Sequence, residues 1–297
     1  MTDPRPHSAA SAARRATSDP NTFVIPAEHL PPGFLEKVED DSLVPAAPRP
    51  AATVVLLRDA EGGPEALLLR RHRRSGFAAD AWVFPGGVVD ASDRADGATD
   101  RLDGPSPAEW AHRLQVDDPA EASGYVTAAI REAFEETGIL LAHSDRVSVA
   151  HVHAAESLAI ARRALLNEVV TLRDVAVGNG LRLAGDELIY VGHWITPEPE
   201  PRRYDTRFFA ARAPADAVCD AHDAEMTDSI WLHPAEAVAR FHDGQLKLLP
   251  PTVHTLQRLD GFPTWDALRA ALEAAPVPGI TPRMERRPEG VAIVVPD

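Results

Sequence analysis

Arg131-Glu132-Ala133-Phe134-Glu135-Glu136-Thr137-Gly138-Ile139 is the stretch on which the reading of this 297-residue chain turns. With about 100° of rotation per helical residue, Glu132, Glu135 and Glu136 fall on one face, since positions i, i+3 and i+4 are neighbours on a helix. Val126, Ile130, Ala133, Phe134 and Thr137 take the opposite face, so core and chemistry separate on a single element. Three clustered carboxylates repel one another and disfavour the helix unless a cation neutralises them. Oxygen-only ligands select a hard ion, Mg2+ or Mn2+. An isolated acidic helix face is more often simply solvated; the flanking sequence is what favours a site.

Working outward, Asp118-Pro119 supplies an N-cap with proline at the first helical position, Ser123 is an alternative cap, and Gly138 stops the helix after Thr137. Upstream, Ala52–Leu57 and Ala66–Arg70 are β-rich runs joined by a Gly/Pro turn, which predicts a hairpin. A short strand over Ala81–Phe84 runs into Pro85-Gly86-Gly87, where missing side chains permit a backbone path closed to most residues. The acidic, Gly- and Pro-containing segment 91–118 is an excursion with one helical turn around Ala108–Leu114. Downstream, helical spacing of Leu158, Ala161, Leu165, Val169 and Leu172 predicts one helix over Ala154–Val175. Strands are expected at Leu188–Ile195, Arg207–Ala213, Ser229–Leu232 and Val291–Val295. Helices are expected at Pro234–His242, Pro251–Arg258 and Thr264–Ala274.

The second half of this pattern resembles the Nudix signature, which reads Gly, five residues, Glu, seven residues, then Arg-Glu-apolar-any-Glu-Glu-any-Gly-apolar. Arg131, Glu132, Ala133, Glu135, Glu136, Gly138 and Ile139 fill every specified place. Five residues beyond Gly87 the chain has Asp93 where the family has Glu, and residues 94–130 stand where the signature has seven, an excess of thirty. The excess coincides with the Gly/Pro excursion, and a surface loop of that length costs little to close. Segments such as Trp194-Ile195-Thr196-Pro197, Arg202–Phe209 and Leu248–Pro251 are similar to a coenzyme A and acyl-coenzyme A diphosphatase subgroup with an interrupted signature. A Leu-Leu-Thr-any-Arg motif of another coenzyme A subgroup is met only partly by Leu67–Arg71.

The resemblance implies an α/β (α+β) fold, the Nudix α/β/α sandwich with a mixed β-sheet, here with an insertion in the Nudix loop and extra C-terminal helices. It also implies that Glu132, Glu135 and Glu136 hold Mg2+ or Mn2+, that Arg131 orients a neighbouring carboxylate, and that a diphosphate in a nucleotide-containing small molecule is hydrolysed. Coenzyme A or an acyl derivative is the preferred substrate. ADP-ribose, a dinucleotide or an oxidised nucleotide is the alternative, and a non-catalytic nucleotide sensor is a third reading. Glu225, between Asp223 and Asp228, is the candidate general base or extra ligand, with an ordinary surface acid as the plain alternative. The basic island Arg70, Arg71, His72, Arg73, Arg74 makes Arg70, Arg71 and Arg73 candidates for phosphate binding together with the loop glycines Gly86 and Gly87. The plain alternative is a solvated loop whose arginines pair with the acidic insertion. Tyr204, Phe208, Phe209, Trp82 and Trp194 are either an adenine platform or core.

Composition bounds these choices. A net charge of −15 argues against nucleic acid as partner, and 44% hydrophobic with 25% charged residues describes a folded chain. Cys219 is the only cysteine, which excludes an intrachain disulfide, and His151 with His153 lacks a third ligand at zinc spacing. No long apolar run and no secretory signal are evident, so a cytoplasmic monomer or homodimer without a membrane partner is expected. The expected organisation is a disordered tail over 1–21, an arm over 22–48, the catalytic domain over 49–260 and an extension over 261–297.

Overall fold

The computed structural model of the chain describes residues 14–15, 21–73, 78–144, 151–215, 217–221 and 225–296. Strand β1 (Thr22–Pro26) precedes a hairpin of β2 (Arg49–Arg58) and β3 (Glu65–Arg71). The short strands β4 (Trp82–Val83) and β5 (Gly86–Val88) then flank Phe84-Pro85. Beyond them the excursion holds one helix, α1 (Pro107–Leu114), capped by Ser106 in a reciprocal capping box with Glu109. The helix of the three glutamates, α2 (Pro119–Thr137), has the expected ends. Asp118 accepts from the Ala120 N–H, proline occupies the first position, and Gly138 terminates it at φ +74°.

The single helix expected over Ala154–Val175 is two, α3 (His151–Leu166) and α4 (Leu172–Asn179). Apolar periodicity runs through the junction, but Glu168 takes a left-handed conformation at φ 55° and Thr171 starts a new helix by a capping box with Asp174. Local capping chemistry overrode the spacing. Strands β6 (Ile189–Ile195), β7 (Tyr204–Arg212) and β8 (Met226–Leu232) follow. Helices α5 (Pro234–His242), α6 (Pro250–Leu259) and α7 (Trp265–Glu273) come next, then β9 (Gly279–Ile280), β10 (Arg283–Arg287) and β11 (Gly290–Val294).

The main sheet has the order β8-β3-β2-β7-β6-β9, with β4 paired to β3 and β5 to β2. It is mixed, because β2 and β7 run parallel while β7 is antiparallel to β6 and β3 to β8. Its central strands are buried on both faces, which explains their unbroken apolar sequences. On one side Val55, Leu57, Leu68, Phe208 and Ala210 pack under α5–α7. On the other Val54, Leu56, Leu67, Leu69 and Phe209 pack against α1, α2 and α4. This is the α/β/α sandwich that the sequence predicts.

The arm and the extension meet. Strand β1 pairs antiparallel with β11, Phe23 opposite Ile293, and β10 completes a second sheet with β11. Arg14 and Arg15 of the expected tail pair with Val24 and Phe23, while residues 1–13 and 16–20 lie outside those described. Phe23 and Ile25 are fully buried in the core that holds Val55, Leu57 and Phe241, so the arm is a structural strand of the same body. Among the described residues no helix is long and apolar enough to cross a membrane.

Phe23→Ala should therefore cost about 3–5 kcal/mol, the penalty of truncating a core aromatic, read as a lower urea midpoint at unchanged slope. A loss under about 1 kcal/mol, the size of a surface change, would mean that the arm is peripheral.

Candidate active site

Arg131 is buried to 6% side-chain exposure in the middle of α2 and uses its whole guanidinium fork. Its Nε and Nη2 donate to the two carboxylate oxygens of Asp93 at 3.0 and 2.9 Å, and Nη2 also donates to the Val88 carbonyl at 2.9 Å. Its Nη1 donates to Glu132 Oε1 at 2.8 Å and to Glu135 Oε2 at 3.0 Å. Burial alone would make the guanidinium easier to deprotonate, but the hydrogen bonds it donates to Asp93 and the charges of Glu132, Asp93 and Glu135 raise its pKa above the ordinary value. Asp93, itself 2% exposed, sits in a single 3-10 turn, Ser92–Arg94, and accepts the Asp90 N–H at 2.9 Å. The shorter acid at the signature's glutamate position thus makes a bidentate contact with Arg131, and the insertion leaves the loop only after it.

The loop glycines are required by close approach. A Cβ on Gly87 would stand 2.3 Å from Glu132 Oε1, and one on Gly86 would stand 2.6 Å from the Ala52 carbonyl and Thr53 Oγ1. Bare backbone there lets the Gly86 N–H donate to Glu136 Oε2 at 3.2 Å. The three α2 carboxylates lie along one loop without meeting at a point, for Glu132 and Glu135 turn to Arg131 and Glu136 turns to Gly86. Among the described residues, the group with ligand atoms all within 4.8 Å of one another is His143, Asp186 and Glu187. There His143 Nε2 meets Asp186 Oδ1 at 2.9 Å, and Glu187 is engaged by Arg269 at 3.0 Å.

The electrostatics of the α2 carboxylates fit a divalent cation. Burial raises the Glu132 carboxyl to about 7, against the pull of Arg131 and with a push from Glu135. Burial likewise raises Glu135. Glu136 is raised well above its ordinary value, first by burial, then by Glu132, with Glu225 adding and Arg71 opposing. Carboxylates that resist ionisation beside one another gain most from an ion that neutralises them, and all the donors are hard oxygens.

Sequence reasoning missed Arg162 on α3. Its Nε and Nη2 donate to the Glu135 backbone carbonyl at 3.1 and 2.8 Å, and its Nη1 donates to Asp220 Oδ2 at 2.8 Å. It thereby caps an open carbonyl in the last turn of α2 with a positive charge at the helix's negative end. Nothing in the sequence around Arg162 announces a partner 27 residues earlier.

The basic island divides. Arg70 donates to Asp80 at 2.8 Å and lies over Trp82, and the exposed Arg73 approaches the same carboxylate at 3.6 Å. Those two pair with the loop acid Asp80, outside the acidic insertion. Arg71 instead lines a cleft of about 190 Å³ together with Gly86, Thr53, Phe84, Trp194 and Phe208, and its Nε is buried without a hydrogen-bond partner. Of the aromatic candidates, Tyr204, Phe208 and Trp194 line that cleft, the last two as part of the core beneath it, while Trp82 and Phe209 belong to the cores alone. Glu225 is exposed at the start of β8, its carbonyl accepting the His72 N–H at 2.8 Å, and near enough to raise Glu136. Asp223 lies outside the described residues.

The family model described as the NUDT19 Nudix domain matches residues 117–259, from the cap of α2 to the end of α6. A crystal structure of a NUDIX hydrolase from Alicyclobacillus acidocaldarius superposes with a TM-score of 0.58 at 26% identity, covering 78% of this chain and 99% of that one. In sequence over that range and in fold, the chain is similar to Nudix hydrolases. Among curated Nudix relatives, the acyl-coenzyme A diphosphatase NUDT19 of Homo sapiens is 31% identical over 66% of this chain and 60% of its own length. That of Xenopus laevis is 27% identical over 67% and 60%. The chain therefore spans about three fifths of the length of these relatives. The matched range leaves out the Gly86-Gly87 loop, Asp93 and everything after Leu259.

A pH dependence follows from Glu132. Its folded pKa of about 7 lies above the ordinary 4.5, so the stability it contributes is complete below about 4.5 and is lost as pH rises through about 7. In EDTA the melting temperature should fall between pH 5 and pH 8, and the gain on adding Mn2+ or Mg2+ should be larger at pH 8. A metal-induced shift that is the same at both pH values would contradict this.

Proposed function

We propose that the protein hydrolyses a diphosphate linkage in a nucleotide-containing small molecule, with coenzyme A or an acyl-coenzyme A as preferred substrate and Mg2+ or Mn2+ required. The observation that carries this reading is the Arg131 assembly, which holds Glu132 and Glu135 beside the Gly86-Gly87 loop with Arg71 at the edge of an adjoining cleft. The curated relatives of Xenopus laevis and Homo sapiens are named acyl-coenzyme A diphosphatases, and that name motivates the choice of substrate.

In this reading Glu132, Glu135 and Glu136 are the metal ligands and Arg131 fixes two of them in register. A bound divalent ion would supply neutralisation of the phosphate oxygens and a lowered pKa for an attacking water. The chain's own groups do the rest. Arg71 has an unpartnered Nε and sits opposite Glu136 in charge, which suits it to hold a phosphate oxygen by a charge-assisted hydrogen bond. Gly86 and Gly87 allow that phosphate to approach the backbone closely. Glu225, exposed and near Glu136, takes the proton of the incoming water as general base. Arg70 and Arg73, already paired with Asp80, contribute charge at the rim. A single cysteine suits a reducing compartment such as the cytoplasm.

The test is turnover of coenzyme A with Mn2+ or Mg2+, products resolved by mass, for the wild type and for Glu135→Gln with Glu136→Gln. Wild type should release 3′,5′-ADP and 4′-phosphopantetheine, and the double variant should lose at least roughly 10²–10³-fold in kcat, the scale of removing preorganised electrostatic groups. Arg71→Ala should raise KM roughly 10- to 150-fold, as expected for a charged hydrogen bond of about 1.5–3 kcal/mol. Hydrolysis of ADP-ribose or a dinucleotide but not of any coenzyme A thioester would overturn the substrate, and metal-dependent binding without turnover of any diphosphate would overturn the reaction.

A further inference from the structure

The cleft beside Arg71 has one charged side chain in its wall and otherwise apolar or hydroxyl-bearing ones. Trp194 of β6, Phe208 of β7, and Pro197, Pro251, Pro282 and Ile293 form its far side. The hydroxyl of Thr196 is spent on the backbone of Tyr204, accepting its N–H at 3.0 Å. Recognition of a base or a ribose needs directional donors and acceptors such as carboxylates or amides, and no carboxylate or carboxamide lines this wall. Rigid prolines and aromatic rings suit an uncharged, largely apolar chain whose only ionic end is the phosphate at Arg71.

Two of the wall residues lie outside the matched family range of 117–259 on its C-terminal side. Pro282 immediately precedes β10, and Ile293, at 2% exposure, is on β11. Strand β11 is held in place by β1 through the pairing of Ile293 with Phe23. The terminal sheet therefore contributes Ile293 to that wall, with Pro282 just ahead of it, and packs onto the domain through the shared core of Phe23, Ile25, Val291 and Ile293.

We propose that this cleft receives the uncharged arm attached to the scissile diphosphate, an acyl-pantetheinyl chain, and that the C-terminal segment, through Pro282 and Ile293 of β11, sets the length of chain accepted. The inference rests on the coenzyme A reading given above. The phosphate end lies at Arg71 and Gly86, and the acyl end points to the floor made by Ile293. Selectivity among acyl chains is then a property of the terminal strands, separate from the glutamate helix that does the chemistry.

The experiment compares kcat/KM of the full-length protein with Mn2+ for free coenzyme A and for thioesters of a short, a medium and a long saturated acid. Two variants are used. Thr206→Phe narrows the cleft from a partly buried position on β7, and Ile293→Ala deepens it from β11. Thr206→Phe should depress the long-chain substrate relative to the short one by about tenfold or more, through KM, the discrimination that a few methylenes provide. Ile293→Ala should move the preference toward longer chains, with its folding checked by the urea midpoint. Equal losses on all four substrates, or an unchanged ratio in both variants, would overturn the inference while leaving the coenzyme A reading intact. Absence of turnover on all four by the wild type, with another diphosphate hydrolysed, would remove that reading and the inference with it.

Discussion

A buried arginine needs its charge answered, and in this protein the answer organises the active region. Arg131 ties the two halves of the signature together through Asp93 and Val88 on the loop and Glu132 and Glu135 on the helix. An unpaired charge at that depth would be prohibitively costly, so loop and helix cannot drift apart without exposing it. The same contact spreads positive charge into a cluster of acids that otherwise repel, which lets the glutamates crowd together before any ion arrives. Thirty extra residues can be accommodated between the two halves because the insertion departs after Asp93 and returns before α2, outside the span that Arg131 clamps.

Where the sequence was legible, the signals were local. The ends of α2 were set by Asp118-Pro119 and Gly138, and the doubly buried strands by apolar runs, each within a few residues of its effect. The sandwich itself came from the resemblance to the Nudix signature. Where reading failed, the determining partner was either a competing local signal or a distant one. Apolar spacing through Val169 suggested one helix, but the Thr171–Asp174 capping box restarted it. Arg162 looked like any helix arginine until the fold carried it to the Glu135 carbonyl. Phe23-Val24-Ile25 was recognisable as an apolar group, yet its pairing with β11 at the other end of the chain had no trace in the pattern.

The basic island shows how geometry divides what composition lumps together. Arg70, Arg71 and Arg73 are equivalent in a list of cations, but strand position sends Arg70 and Arg73 to Asp80 and leaves Arg71 facing the cleft. Salt bridges at the rim are worth little in stability, whereas the Arg71 guanidinium keeps an open Nε donor beside an apolar wall.

The pairing of residue 23 with residue 293 also bears on how the chain is made. A ribosome delivers β1 well before β11, so β1, with its buried-to-be Phe23 and Ile25, must wait for that sheet partner while the sandwich between them is made. Contacts of such separation carry the largest loop-closure cost and form late. The sandwich around α2 can assemble while the two strands are still apart, and the seam between them closes after it. An exposed apolar strand waiting that long is a natural client for holding chaperones and a natural seed for mispairing between nascent chains.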